Sequence, residues 1–202
     1  MMGEQARFRG IQKPAIKAII AGESPVVAVT GTGRGKSLLF MLPAYCSRVG
    51  MMVVVIPLIA LRRDMKRRCD ELGLRCHESG NRQPGDGAQI VLVTPESAVG
   101  QGFRTFLNRM RATQQLERIV IDECHVVLND QMDFRKRRQL QQLGELNRVG
   151  VQMVLLTATL PLTKEGEVWR RMKFLEEEVK LFRARTWRRN IRYRLKRRRQ
   201  QW

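Results

Sequence analysis

The sequence predicts an α/β fold, a mostly parallel sheet flanked by helices on both faces in three layers. Three observations carry that expectation. Short apolar runs recur at Val26–Val29, Met51–Ile56, Ile90–Val93, Ile119–Ile121 and Val151–Leu156. Their apolar character does not alternate, as in strands buried on both faces of a parallel sheet. The stretches between them carry helical spacing or turn residues, the strand–helix alternation of an open α/β sheet. Polar clusters then follow three of the runs directly: GTGRGKS at 31–37, DECH at 122–125 and TAT at 157–159. No internal repeat is present.

Taken in order, residues 4–20 place Ala15, Ile16, Ile19 and Ile20 at helical spacing, so this apolar set is expected to face a core, with Arg9 and Gln12 at the helix start. Val26–Thr30 is the strand entering the glycine-rich turn, and Leu38–Leu42 opens the helix after it. Met51–Ile56 is a second buried strand closed by Pro57. Pro57-Leu58-Ile59-Ala60-Leu61 opens a helix, with Arg62, Arg63 and Lys66 on its exposed face. Arg75–Ser79 reads as a short strand, and NRQPGDG at 81–87 as a surface loop by its turn chemistry. The third apolar strand, Ile90–Val93, ends in Thr94-Pro95-Glu96. A helix over 103–110 precedes the strand Arg118–Ile121, and Val151–Leu156 is the last strand expected.

Composition bounds the function. A chain of 202 residues with 43% hydrophobic content is long enough to bury a core of its own, and no apolar run reaches transmembrane length. The N-terminus lacks the apolar stretch of a secretory signal. Cys46, Cys69, Cys76 and Cys124 form no CxxC pair, so reduced thiols in an intracellular chain, nuclear in a eukaryote, are expected rather than a zinc site. Lys and Arg total 38 against 19 acids, a formal charge of +19. Such a field attracts phosphate polymers, and the scattered basic clusters suit nucleic acid better than a membrane surface. The last cluster runs from Arg183 to Arg199 without an acid.

The chemistry sits in the polar clusters. A strand, a glycine-rich turn and a helix, in that order, aim backbone N–H groups at an anion. In such a loop Lys36 would reach the β- and γ-phosphates of a nucleotide and the Ser37 hydroxyl would ligate Mg²⁺. A glycine turn beside a solvated lysine would share the pattern. Asp122 and Glu123 follow a strand and so fall at its carboxyl end, where ligands bind in open α/β sheets. Asp122 could contact Mg²⁺ and Glu123 could orient or deprotonate an attacking water. Two acids capping a helix would account for the pair alone equally well. Gln12, donor and acceptor at once, suits the edge of adenine, while this segment taken alone is read more simply as carrying an exposed glutamine.

In this order and approximate spacing, from Phe8 to about Pro161, these segments resemble the first RecA-like lobe of a RecQ-family DNA helicase, within superfamily 2 and akin to the DEAD/DEAH group. FRGIQ resembles the adenine-recognising segment and GTGRGKS motif I. Thr30 stands where the general P-loop pattern has its first glycine, the form seen in superfamily 2. PLIALRRDM resembles motif Ia, TPE motif Ib, DECH motif II and TAT motif III. Asp133-Phe134-Arg135 resembles the remnant of an aromatic-rich loop that senses single-stranded DNA, here without its tryptophan. Residues 186–193 resemble the passage into a second lobe.

The resemblance implies a P-loop NTPase fold using ATP and Mg²⁺. Its nucleotide site would comprise Arg9, Gln12, Gly33, Arg34, Gly35, Lys36, Ser37 and Leu38. Lys36, Asp122 and Glu123 would be catalytic, with Ser37 and Asp122 on Mg²⁺. His125, Thr157 and Thr159 would couple nucleotide state to DNA grip. Pro57, Leu58, Arg62, Arg63, Thr94, Phe134 and Arg135 would contact single-stranded or forked DNA, RNA being the other candidate polymer. It further implies a lobe over 1–175 and a basic linker over 176–202, leading to a second lobe that this sequence does not contain. The function expected is the ATP-binding lobe of a 3′–5′ DNA helicase. The alternative is a largely non-catalytic nucleic-acid-binding module that retains ATP binding.

Overall fold

The computed structural model describes residues 7–47, 50–79, 87–128 and 139–185. Within them, seven parallel strands form one sheet: β1 (Val26–Val29), β2 (Met51–Val55), β3 (Cys76–Glu78), β4 (Ile90–Val93), β5 (Leu116–Ile121), β6 (Gln152–Thr157) and β7 (Lys180–Arg183). Their order across the sheet is β3-β4-β2-β5-β6-β1-β7. Every residue of β1, β2 and β4 is buried. Successive residues serve opposite faces, which is why these runs read as continuous apolar sequence. Val27 and Val29 join one core, Val26 and Ala28 the other.

The helices divide between those two cores. α1 (Gln12–Ile20), α2 (Leu38–Cys46) and α3 (Ile59–Glu71) cover one face through Ile16, Ile19, Leu39, Phe40 and Met65. A four-residue helix, α4 (Pro95–Ala98), follows β4 directly. On the other face lie α5 (Gln101–Ala112), a tight helical segment over Gln142–Val149, and α6 (Glu165–Met172), through Phe106, Leu107, Leu143, Leu146, Val168 and Trp169. The three-layer arrangement is the one expected.

Three details differ from expectation. Ile20 ends α1 with 61% of its surface exposed, because the core is filled by Ala15, Ile16 and Ile19. The sheet does not stop at residue 175: Lys180–Arg183 add β7 beside β1, with Val29 opposite Arg183. Arg183 therefore belongs to the sheet rather than to a basic tail, while 186–202 lie outside the described residues. In the motif Ia segment, Leu58 is extended and the helix begins only at Ile59.

The order of strands positions the site. β6 is inserted between β5 and β1, with Val29 opposite Thr157 and Ile121 opposite Leu155. The turns after β1, β6 and β5 thus emerge side by side at the carboxyl edge. The chain leaves β1 for the α2 face and β6 for the α6 face, the reversal at which open α/β sheets form a ligand crevice.

Candidate nucleotide site

Two glycines shape the turn after β1. Gly33 and Gly35 take φ of +77° and +72°, a region costly for residues bearing a Cβ. The turn closes onto α2 through Leu38 N–H to Gly35 C=O (3.1 Å) and Met41 N–H to Ser37 C=O (2.9 Å). Ser37 is the N-cap residue and its hydroxyl makes no capping bond, so it remains available to a ligand. Leu38 is buried and anchors the helix end in the core.

Gln12 braces this loop. Although polar, it is buried: its Oε1 accepts from Arg9 N–H (2.8 Å), and its Nε2 donates to Arg34 C=O (2.9 Å) and, more weakly, to Gly35 C=O (3.5 Å). Both amide protons of Gln12 are thereby committed to the loop backbone, and one lone pair of Oε1 is left for any further contact. Arg9 itself is an exposed residue at the helix entrance.

Across the crevice, Lys36 Nζ lies 2.5 Å from Glu123 Oε1, joining the turn after β1 to the turn after β5. Glu123 has φ of +51°, an unusual conformation for a glutamate, and its N–H is received by Asp122 Oδ1 at 3.0 Å. The other carboxylate oxygen of Glu123 meets His125 Nδ1 at 3.2 Å. His125 Nδ1 in turn lies 3.0 Å from Thr157 Oγ1. Thr157, with no exposed surface, donates its hydroxyl proton to Thr159 C=O (3.1 Å) and accepts from Thr159 N–H (3.1 Å). A hydroxyl has one proton, already given to Thr159, so His125 must be the donor and its Nδ1 carries the hydrogen. Lys36, Glu123, His125, Thr157 and Thr159 therefore form one connected network over three strand ends.

The two acids are tuned in opposite directions. Burial pushes the Asp122 carboxyl up to about 6, against the pull of Lys36. Burial would raise Glu123 as well, but hydrogen bonds from His125 and Lys36 prevail and hold it at about 2. A buried carboxylate whose ionisation is disfavoured gains from a nearby cation, and Asp122 with the Ser37 hydroxyl offers the oxygen donors that suit Mg²⁺. Complete burial raises the Cys124 thiol well above its ordinary range, which keeps it inert between these groups.

Of the remaining predicted residues, those that follow β2 and β4 lie toward the same edge. Pro57, Leu58, Arg62 and Arg63 lie at the start of α3; Leu58 is 59% exposed and Ile59 beside it 60%. Thr94 acts locally, for its Oγ1 accepts from Ser97 N–H (3.2 Å) and caps α4, whose first residue is Pro95. Phe134 and Arg135 lie outside the described residues. No local pattern announces Arg183, whose guanidinium reaches Leu160 C=O just after TAT (2.7 Å). All four cysteines are free, and among the described residues no helix is long and apolar enough to cross a membrane.

The glycine-rich turn, the paired acids and the parallel sheet that aligns them define a P-loop fold of the RecA type. The DEAD/DEAH box helicase model matches residues 9–168. The chain belongs to the DEAD/DEAH box helicase family. It is 29% identical over 199 residues to rat ATP-dependent DNA helicase Q5, covering 91% of this chain and 20% of that protein. It is 33% identical over 173 residues to the ATP-dependent DNA helicase hus2/rqh1 of Schizosaccharomyces pombe, covering 75% of this chain and 13% of that one. The chain thus spans a fifth or less of these two relatives. A crystal structure of the DUF1998 helicase MrfA bound to DNA shares the fold, with a TM-score of 0.64 at 19% identity over 87% of this chain and 27% of that one.

Proposed function

We propose that this chain is the ATP-binding lobe of a RecQ-like 3′–5′ DNA helicase, acting on single-stranded or forked DNA when a second lobe completes the site. The observation that carries the reading is the continuous network from Lys36 through Glu123 and His125 to Thr157, in which each member comes from a motif segment at the carboxyl edge of the sheet.

In this reading the triphosphate lies on the N–H groups at the start of α2, and Lys36 leaves Glu123 for the phosphates. Ser37 and Asp122 would hold Mg²⁺, which offsets the charge of the phosphates. The departure of Lys36 removes one of the two groups that keep Glu123 acidic, so its basicity rises when substrate is in place. Glu123 then orients and deprotonates the attacking water, while His125 keeps hold of its second oxygen. Gln12 fastens the loop beneath the phosphates and can receive the exocyclic amine of adenine on its remaining lone pair. The Arg62–Arg63 helix start, with exposed Leu58 beside it, offers cations and an apolar surface to a nucleic-acid strand.

Titration with Mg–ATP tests the assignment. Lys36→Ala should weaken binding at least about tenfold, or roughly 1.4 kcal/mol. Equal binding by the two proteins would remove the phosphate loop from the reading. A nucleic-acid-binding module with little turnover is the second reading, favoured by the +19 charge. Vigorous DNA-stimulated hydrolysis would exclude it.

A further inference from the structure

We propose that Arg183 is a positioning residue that ties the nucleotide site to the strand through which the chain leaves the lobe. The inference rests on the nucleotide-binding reading above and extends it to a residue outside every motif segment.

β7 is a strand of four residues at the edge of the sheet, and among the described residues it pairs with β1 alone. Such a strand has half the backbone pairing of an interior one and is among the easier elements to open. Its last residue, Arg183, stands opposite Val29, and Val29 stands opposite Thr157 on its other side. Arg183 and Thr157 therefore sit level, one strand apart. The ladder ends one residue later with Ala184 N–H on Val29 C=O (2.8 Å).

The Arg183 side chain spans that strand. One guanidinium nitrogen donates to Leu160 C=O at 2.7 Å, and the other pairs with Glu165, the first residue of α6. A planar guanidinium can hold a carbonyl and a carboxylate at once in fixed directions; an ammonium cannot reproduce that fork. The carbonyl it takes is informative. Leu160 follows Thr159 directly, and both backbone groups of Thr159 are clasped by the Thr157 hydroxyl. The network that starts at Lys36 therefore continues through Thr157 and Thr159 to Leu160, and across to Arg183 at the mouth of the segment beyond β7.

Contiguity alone does not make coupling; a group with two states must bias both ends. Lys36 is that group, bound to Glu123 here and to phosphate when nucleotide is present. Its departure leaves Glu123 and His125 to rearrange, and His125 bears on the Thr157 hydroxyl. Through Arg183 a shift of the loop after β6 reaches β7 without passing through the core.

Hydrogen exchange of the full 202-residue chain, with and without Mg–ATPγS, tests this. In the wild type, nucleotide should slow exchange in residues 31–41 and also change it at least threefold in residues 180–185. Arg183→Gln should keep the first response and nucleotide affinity within twofold, and lose the second. Arg183→Lys, which retains charge toward Glu165 without the fork, should lose most of the second response while folding normally. An unchanged second response in both variants would overturn the inference and leave the nucleotide reading intact. Its absence from the wild type, with residues 31–41 protected, would do the same. No protection of 31–41 in the wild type would instead remove the nucleotide reading, and this inference with it.

Discussion

Replacing Thr157 by valine removes one hydroxyl from a fully buried strand end and changes the side-chain shape little. Three hydrogen bonds end on that oxygen: Thr159 N–H and C=O, each at 3.1 Å, and His125 at 3.0 Å. A net hydrogen bond contributes roughly 0.5–1.5 kcal/mol. Thr159 is exposed and its backbone groups can take water instead, and His125 still has Glu123, so the lower part of that range applies. Valine recovers a few tenths through its preference for a buried strand. The expected loss is about 1–2 kcal/mol, or about 2–8 °C in melting temperature for a chain of this size. Urea unfolding followed by circular dichroism measures it, with the slope unchanged because the exposed surface is the same. Nucleotide affinity should stay within twofold, since Lys36 and Ser37 are untouched, while DNA-stimulated hydrolysis should fall about tenfold or more. A stability change below about 0.5 kcal/mol would refute the hydroxyl's place at the centre of the network. Undiminished stimulation would refute its coupling role.

Other outcomes follow from the same geometry. Glu123→Gln should abolish hydrolysis and spare Mg–ATP binding, as separate turnover and titration assays would show. Because Glu123 is held at about 2 against an ordinary 4.5, its contribution to stability is complete above about pH 4.5 and drains as pH falls toward 2. The glutamine variant should therefore show a flatter decline of unfolding free energy with acid over that interval. Gln12→Ala should weaken nucleotide binding about three- to tenfold, the equivalent of one net hydrogen bond. If Gln12 acts through the loop, ATP and GTP lose equally; a loss confined to ATP would mark it as a reader of the base. Deleting 186–202 removes eight Lys and Arg residues and no acid. It should flatten the salt dependence of DNA binding, by about 0.7 in log–log slope for each single-strand phosphate no longer neutralised, and leave a weak preference for single strands. No single-strand preference in the shortened chain would place DNA binding in the tail alone.

Much of this fold is legible in the chain because its determinants are local. Val26–Val29, Met51–Val55 and Ile90–Val93 are apolar throughout, and a run buried on both faces can scarcely be read otherwise. GTGRGKS, DECH and TAT carry their positions with them, since each directly follows such a run. The short strand at 76–78 and the helices after β1 and β2 are readable from local pattern too. What tertiary structure decided is how separated segments meet. That β6 lies between β1 and β5 is a matter of strand order, which no local period encodes, yet it alone brings Thr157 to His125. The Gln12 amide could read a base or bind backbone; the approach of the glycine-rich turn, 22 residues away in sequence, settles its present partners as Arg34 and Gly35. Thr94 carries a capping bond as well as a motif position, and Ile20 fits the helical period but meets no neighbouring layer. Lys180–Arg183 lacks the apolar run of the inner strands, because an edge strand needs only one partner and little burial. Its pairing with β1, and with it the reach of Arg183 to Leu160, exists only once the sheet has formed.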